Sequence, residues 1–373
     1  MQRIIQKLQH DTLFLFTTAL VLIAACFGSI HFKNVSWETV ESLLALLGLV
    51  TLLQSLGFIE ALARFFIEKS KTSRDLITAI FLLSFFSAMV VTNDVAILTI
   101  VPLTFAMAKK VTFPTVKVAA MATVYANLGS AISPIGNPQN IFLLAHYQNS
   151  PLDYAIPAAI LTLLALISMP LFIKHVSNRQ LPTIQKKSVI KEMKKWQYYL
   201  LGVATLVILA ILISHHGVLL ALILTVLLLA YYHPRSFREV DYGVVLSIMN
   251  FFLLVGALMA IPSVKEALTT IGEHPLQLLG TGILLSQVIS NVPVSALLAP
   301  LTSHASVLYL AVSVGAFGTL IASLANLLAF RQVKANAIAR VRQNFILHFT
   351  YYNVIFLVIG SLLAALYVAL SSL

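Results

Sequence analysis

The sequence predicts an all-α integral membrane protein of two inverted repeats, each with a re-entrant helical hairpin and a broken transmembrane helix. Three observations predict this fold class. Of the 373 residues, 59% are hydrophobic and only 10% are charged, whereas soluble domains have roughly 25% charged residues. Apolar runs long enough to cross a bilayer recur along the whole chain. Polar residues interrupt four of these runs, two in each half.

Uninterrupted apolar segments account for the simple spans, because each is long enough for about 30 Å of hydrocarbon. They are residues 12–30, 40–58, 151–173, 197–214, 217–232, 242–262 and 347–370. The first follows Arg3 and Lys7 without a cleavage site of small residues, so we interpret it as a retained helix.

Two segments have the pattern of a hairpin with a polar tip. Residues 75–108 are apolar except for the Thr-Asn-Asp sequence at 92–94, and residues 276–302 repeat the pattern around the Ser-Asn-Val-Pro sequence at 290–293. The apolar arms on either side are short for full spans. We therefore expect both segments to re-enter on their own side.

Two further segments, residues 115–146 and 306–332, are long apolar runs that contain Gly, Pro, Ser and Asn. Such runs are typical of broken helices whose non-helical backbone lines a cavity.

The distribution of basic residues predicts the orientation. If each hairpin returns to its own side and each broken helix crosses once, 22 of the 24 Lys and Arg residues lie on one side, leaving Lys33 and Lys265 opposite. The positive-inside rule then places the N-terminus in the cytoplasm and the C-terminus outside a cytoplasmic (inner) membrane.

An internal repeat supports this organisation. The sequence at 91–104 matches that at 289–302, and the sequence at 125–140 matches that at 314–329 with Asn137 over Asn326. The hairpin precedes the broken helix in both halves, and the two hairpins open from opposite sides. Matched repeats of this kind are typical of secondary transporters. We predict a first repeat at 1–174, a basic cytoplasmic linker at 175–196, and an extra helix with the second repeat at 197–373.

Asp94 is the only acidic residue deep in an apolar segment, where an ionised side chain is costly unless it is paired or hydrated. It is expected to bind Na⁺ or carry a proton, with Asn93 beside it; the alternative is a capping role at the second hairpin helix. The candidate cation ligands are Thr92, Asn93, Asp94 and backbone carbonyls near Ser133, Gly136 and Asn137.

At the second tip, Val292 stands where the first has Asp94, so a second cation site would be weaker or absent. Helix N-termini from both hairpins and both broken helices are expected to converge, and such termini bind anions. The alternative is that these small and polar residues only join helices. The remaining candidate substrate and cation residues are Asn140, Ser290, Asn291, Thr319, Ser323 and Asn326.

Several function classes have no support in the sequence. No nucleophile–base pair, Walker-type loop or metal-ligand spacing is present, and the single cysteine, Cys26, provides no disulfide framework. We therefore expect neither an enzyme nor a nucleic-acid-binding protein, and no cofactor beyond a coupling ion.

The motifs TNDVAILTIVPLT, SPIGNPQN and SNVP resemble those of the ion transporter superfamily, which includes arsenite permeases, divalent anion–sodium symporters, citrate–metal transporters and a class of sodium/proton antiporters. The combination is most similar to a bacterial inner-membrane subgroup of anion permeases. The resemblance implies a homodimer with an elevator-like movement, a first cation site at Thr92, Asn93 and Asp94 with Gly136 and Asn137, and a second at Ser290 and Asn291 near Asn326.

The sequence thus predicts a secondary transporter that moves a small anion or oxyanion with Na⁺ or H⁺. A sodium/proton antiporter, an arsenite efflux permease and a non-transporting membrane scaffold are the alternatives.

Overall fold

The computed structural model describes residues 5–6, 8–9, 11–26, 30–58, 69–108, 111–181, 194–214, 216–336 and 339–371. These residues form sixteen α-helices, four short 3₁₀ helices and no β-strand, so the predicted all-α fold is confirmed. Most of the predicted linker, residues 182–193, lies outside the described residues.

The first half contains seven helices in chain order. They are α1 (Thr12–Cys26), α2 (Trp37–Ser55), α3 (Ser73–Val91), α4 (Asn93–Ala108), α5 (Thr115–Ile132), α6 (Pro138–Tyr147) and α7 (Ala155–Lys174).

The second half contains nine helices, again taking the described residues alone. They are α8 (Lys195–Ser214), α9 (Val218–Tyr232), α10 (Tyr242–Met259), α11 (Pro262–Glu273), α12 (Pro275–Ile289), α13 (Asn291–Leu298), α14 (Ala305–Gly315), α15 (Leu324–Asn336) and α16 (Ala339–Ser371).

Six described helical segments are long and apolar enough to cross a membrane, and several shorter apolar helices accompany them. They are Trp37–Ser55, Ser73–Val90, Pro151–Lys174, Lys195–Leu212, Tyr242–Met259 and Arg340–Ser371. The chain is a multi-pass membrane protein.

The first hairpin, α3 and α4, is longer than its apolar run suggested. A capping box formed by Thr72 and Asp75 starts α3 at Ser73, before the apolar run begins, and gives this arm 19 residues. The second hairpin, α12 and α13, is shorter: α13 has only 8 residues. It ends in a 3₁₀ turn that contains Pro300, whose ring nitrogen has no hydrogen to continue the helix.

The first broken helix consists of α5 and α6. Pro134 disfavours a helical conformation for Ser133, which has extended backbone angles directly after α5. Helix α6 then begins with Pro138 in its first turn and Asn137 as its N-cap, a combination that favours a new helix start. In the second half, α14 ends at Gly315 and α15 begins at Leu324.

The helices pack in two groups. In the first, α3 packs on α5 and α12 on α14, while the second arms cross between the halves, so that α4 packs on α15 and α13 on α6. A methyl group at Gly129 of α5 would lie 2.0 Å from the carbonyl oxygen of Phe85 in α3, so this close approach requires glycine. In the second group α2 packs on α9, α1 on α10 and α8 on α9.

Several described basic residues lie together on one side of the molecule, because the guanidinium of Arg74 donates to the carbonyl oxygens of Lys174 and Val176. The backbone N–H of Ser73, at the start of α3, donates to the carbonyl oxygen of Arg179, after α7, at 2.8 Å. Both helix ends therefore lie together, and we call this side the basic face. Lys33 lies at the opposite end of the molecule, in an open cavity of about 550 Å³ with His146 and Pro300.

Candidate functional site

Each hairpin turns at a single residue. Thr92 has φ 77° and ψ 152°, and Ser290 has φ 73° and ψ 151°. Left-handed φ values are uncommon for residues with a side chain, and unusual for a β-branched residue such as Thr92. The two tips therefore share the same strained backbone geometry, and the helices α4 and α13 begin directly after them.

The same hydrogen bond joins each tip to the break of the neighbouring helix. The backbone N–H of Asn93 donates to the carbonyl oxygen of Gly136 at 3.0 Å, and that of Asn291 donates to the carbonyl oxygen of Ala322 at 3.0 Å. Each hairpin tip is thereby fixed against non-helical backbone in its own half.

The predicted convergence of four helix N-termini is present around one central cavity. Its volume is about 20 Å³, enough for one water molecule or a bare ion. The N-termini of α4, α6, α13 and α15 and one face of α10 line this cavity. The lining residues are Asn93, Asp94, Pro138, Gln139, Val244, Ser247, Ile248, Phe251, Ser290, Asn291, Val292, Pro293, Ser323 and Leu324.

Among the described residues that line this cavity, Asp94 alone has an ionisable side chain. Its side chain is partly buried, and no hydrogen bond or ion pair joins its carboxylate to any other residue that the structure describes. The carboxylate is therefore left without a neutralising group, next to helix ends that carry partial positive charge.

Behind the tips, three asparagines form a buried chain across the two halves. The Nδ2 of Asn93 donates to the Oδ1 of Asn127 at 3.1 Å, and the Nδ2 of Asn127 donates to the Oδ1 of Asn326 at 2.8 Å. Ser323 also donates to the Oδ1 of Asn127, at 3.4 Å. Asn127 was not among the predicted site residues, although it joins three residues that were.

Asn140 and Asn326 stabilise the ends of the helices that precede them. The Nδ2 of Asn140 lies within 3.1 Å of the carbonyl oxygens of Ser130, Ala131 and Ser133. The Nδ2 of Asn326 donates equivalently to two carbonyl oxygens, that of Ala316 directly after α14 at 2.8 Å and that of Thr319 in the break before α15 at 3.1 Å.

These bonds relate the two broken helices by a register that differs from the predicted one. Asn140, not Asn137, occupies the position that corresponds to Asn326. Asn137 then corresponds to Ser323, and both precede the first residue of a helix, α6 or α15. The register obtained by matching Asn137 to Asn326 was three residues off.

The structure brings some of the predicted residues together and separates others from the cavity. Those that line the cavity are Asn93, Asp94, Ser290, Asn291 and Ser323. Those that support it from outside its lining are Thr92, Ser133, Gly136, Asn137, Asn140, Thr319 and Asn326.

Several predicted cation ligands already have hydrogen-bond partners. The carbonyl oxygen of Gly136 accepts from Asn93, and that of Ser133 accepts from Asn140. By contrast, the Oγ1 of Thr92 and the Nδ2 of Asn291 are buried without a hydrogen-bond partner in the described part of the chain. Buried polar atoms of this kind are unusual unless they serve a ligand, an ion or a water.

Two contributors to the cavity were missed. Gln139 lines it, whereas Asn140, one residue later, points to the end of α5. Helix α10 supplies Ser247 and Phe251 from the other group of helices. Its predicted span, residues 242–262, contains the polar residues Ser247 and Asn250, but the sequence did not show which neighbour either residue contacts. Within the described residues no cluster of three or more His, Cys, Asp or Glu side chains is present.

A multi-pass helical membrane protein with broken helices, polar hairpin tips and a small central cavity has the architecture of a membrane transporter. The sequence model of the citrate transporter family matches residues 3–325, and the chain belongs to this family.

Three similar proteins bear names that describe a transporter or a membrane protein. An uncharacterized transporter of Methanocaldococcus jannaschii is 31% identical over 311 residues, covering 82% of this chain and 83% of the relative. The inner membrane protein YbiR of Escherichia coli K12 is 29% identical, covering 80% of each chain. A 46 kDa membrane protein of Mycobacterium leprae is 24% identical, covering 77% of this chain and 75% of the relative.

Proposed function

We propose that this transporter moves a small anion together with Na⁺ or H⁺, and that Asp94 couples the two. The observation that carries the proposal is the convergence of four helix N-termini on a cavity where, among the described lining residues, Asp94 alone carries a charge. Helix N-termini attract an anion, whereas the carboxylate repels it.

These two opposite effects on the anion couple its binding to the binding of a cation or proton. A cation or proton on Asp94 removes the repulsion, so that the anion is held by helix dipoles, side-chain amides and hydroxyls. Because linkage is reciprocal, an anion that binds better with the cation present also tightens cation binding. Thr92 and Asn93 are the proposed additional Na⁺ ligands, since the buried Oγ1 of Thr92 has no described partner.

The two groups of helices offer a route for opening the site. Helix α10 of one group forms one wall of the central cavity, and the hairpin tips and helix starts of the other group form the rest. A cavity of about 20 Å³ cannot contain a carboxylic acid of citrate size, so binding requires the groups to separate. Relative movement of the two groups fits the elevator-like mechanism that the sequence motifs imply.

Matching features support inverted repeats at 1–174 and 197–373. The tips share backbone angles, the tip N–H groups bond to equivalent carbonyls, and α4 and α13 each pack on the second half-helix of the other repeat. With the basic face in the cytoplasm, as the positive-inside rule expects, the N-terminus is cytoplasmic and Lys33 lies outside.

A sodium/proton antiporter is the second candidate, because the cavity in this conformation has room for a bare cation or one water molecule but not for an organic anion. In that case Asp94 would exchange Na⁺ for H⁺ and no anion would be needed.

Thermal unfolding of the purified protein separates the two candidates. The panel contains citrate, succinate, phosphate, sulfate and arsenite, each with Na⁺ at neutral pH, with a large organic cation at neutral pH, and with that organic cation at low pH. The variants are Asp94→Asn and, as a charge-matched control, Glu266→Gln on exposed α11.

We expect one class of anion to raise the melting temperature only with Na⁺ or at low pH. Asp94→Asn, which has no charge to neutralise, is expected to lose this dependence on Na⁺ and pH, while Glu266→Gln keeps it. Stabilisation by Na⁺ that is weaker at low pH and unaffected by any anion would refute anion symport in favour of antiport.

A further inference from the structure

A second, larger cavity of about 580 Å³ lies on the basic face and shares no lining residue with the central cavity. The segment before α5, the start of α5, the end of α7 with the loop after it, and the middle of α16 enclose this cavity. The residues used below are Lys117, His175, Arg179, Phe172, Tyr351 and Tyr352.

The polar end of this cavity is basic. Lys117 and Arg179 line it together with His175, and none of the described lining residues is acidic. Neither the ammonium of Lys117 nor the guanidinium of Arg179 forms a hydrogen bond or an ion pair with a residue in the described ranges. Two uncompensated cations on one cavity wall favour an anionic ligand.

The loop that carries Arg179 is held in place before any ligand binds. The backbone N–H of Arg179 donates to the Oγ of Ser73 at 2.9 Å, and this Oγ donates to the carbonyl oxygen of Ser177 at 2.8 Å. The Nε of Arg74 donates to the carbonyl oxygen of Val176 at 2.9 Å. The site is therefore preorganised, and it is fixed to the start of the first hairpin.

The apolar end of the cavity faces the perimeter of the molecule. Tyr351 lines the cavity and is also an exposed member of a stripe along α16. A second exposed apolar stripe runs along α7, which packs against α16. In a membrane protein such stripes contact acyl chains, and Tyr side chains prefer the level of the headgroups. The exposed apolar residues are Leu163, Ile167 and Leu171 on α7 and Leu347, Val354, Val358 and Leu362 on α16.

We propose that this cavity binds the phosphate headgroup of an anionic phospholipid, with its acyl chains along the groove between α7 and α16. Lys117 and Arg179 contact the phosphate, and Phe172, Tyr351 and Tyr352 surround the glycerol region. Basic pockets between membrane helices recognise anionic headgroups in this way. Because Ser73 and Arg74 join this loop to the first hairpin, the bound lipid stabilises the hairpin that carries Asp94.

Lipid binding to the purified protein tests this proposal. Native mass spectrometry measures the binding of phosphatidylglycerol and phosphatidylcholine, and thermal unfolding measures stabilisation by each lipid and by inorganic phosphate. The test variant is Lys117→Gln with Arg179→Gln. The charge-matched control is Lys33→Gln with Lys265→Gln, and Lys117→Arg with Arg179→Lys is the conservative variant.

We expect phosphatidylglycerol to bind and stabilise the wild type, the control and the conservative variant. Affinity falls about tenfold or more in the test variant, at about 1 kcal/mol for each lost charge near the headgroup. Unfolding in phosphatidylcholine alone, unchanged in the test variant, shows that the variant is folded. Equal phosphatidylglycerol binding by wild type and test variant would overturn the proposal. Saturable stabilisation by inorganic phosphate that prevents lipid binding would also overturn it, by assigning the cavity to a free anion.

Discussion

Asn127 shows how much a single buried side chain contributes to this site. Its amide accepts from Asn93 and donates to Asn326, so it connects the first hairpin tip with the second broken helix. Loss of this amide removes a partner from three buried polar groups, on Asn93, Asn326 and Ser323, and an unsatisfied buried polar group costs about 1–3 kcal/mol.

Asn127→Leu is therefore expected to lower the free energy of unfolding in detergent by at least about 1–3 kcal/mol. The matched control is Thr123→Val, one turn earlier on α5, whose buried hydroxyl bonds only to the carbonyl oxygen of Ala119 in its own helix. Denaturant titration of both variants measures the difference. If Asn127→Leu unfolds like Thr123→Val, the asparagine chain does not join the two halves.

The sequence identified the hairpin tips, because a polar Thr-Asn-Asp in an apolar run has few roles in a membrane. It did not identify which side chain at the start of α6 faces the cavity. Successive residues of a helix point about 100° apart, so the choice between Gln139 and Asn140 depends on a helix start that no periodicity in this short segment defines.

At the scale of the elements, close packing of α3 on α5 depends on Gly129. A Cβ atom there would lie 2.0 Å from the backbone oxygen of Phe85, and a backbone atom cannot move aside as a side chain can. Gly202 of α8 has no heavy atom within 4 Å of the equivalent position.

Gly129→Ala is expected to lower the free energy of unfolding by about 1–3 kcal/mol, the usual cost of overpacking. Gly202→Ala is expected to leave it unchanged or raise it by up to about 1 kcal/mol, because alanine favours helix. Unfolding of the two variants in the same detergent provides the comparison. Equal free energies of unfolding of the two variants would mean that α3 and α5 do not approach each other this closely.

The elements themselves were largely predictable, since proline, glycine and asparagine stop and start helices by local chemistry. Two features were not. The first hairpin arm is longer than its apolar run, because the capping box at Thr72 and Asp75 begins the helix among polar residues. The register between the broken helices was three residues off, because matching Asn137 to Asn326 ignored which asparagine bonds to the preceding helix end.

For the whole molecule, the basic face predicts the orientation in the membrane. Cys26 is the only cysteine, so a Cys26→Ala background accepts single reporter cysteines at the exposed positions Lys33 and Lys334. We expect Lys33→Cys to react with a membrane-impermeant maleimide in intact cells, and Lys334→Cys to react only after permeabilisation. The reverse pattern would place the basic face outside.

Helix α10 also contributes residues to the site. Ser247 and Phe251 lie about 155 residues along the chain from the first tip, and only the assembly of the two helix groups brings them to the cavity. The local sequence of α10 does not distinguish this contact from others: of its polar residues, Ser247 lines the cavity, whereas Asn250 donates to Thr17 and Thr18 of α1.

Asp94 is proposed to couple a cation to the movement of an anion through the central cavity. Uptake by proteoliposomes tests it most directly: labelled citrate, or the anion chosen by thermal stabilisation, is measured with and without an inward Na⁺ or H⁺ gradient. We expect gradient-driven uptake by the wild type and by Glu266→Gln. Asp94→Asn is expected to lose about tenfold or more of this uptake, because the amide carries no charge for a cation or proton to neutralise and an interaction with a charged group contributes about 1.5–3 kcal/mol. Gradient-driven anion uptake that persists unchanged in Asp94→Asn would contradict this coupling role of Asp94.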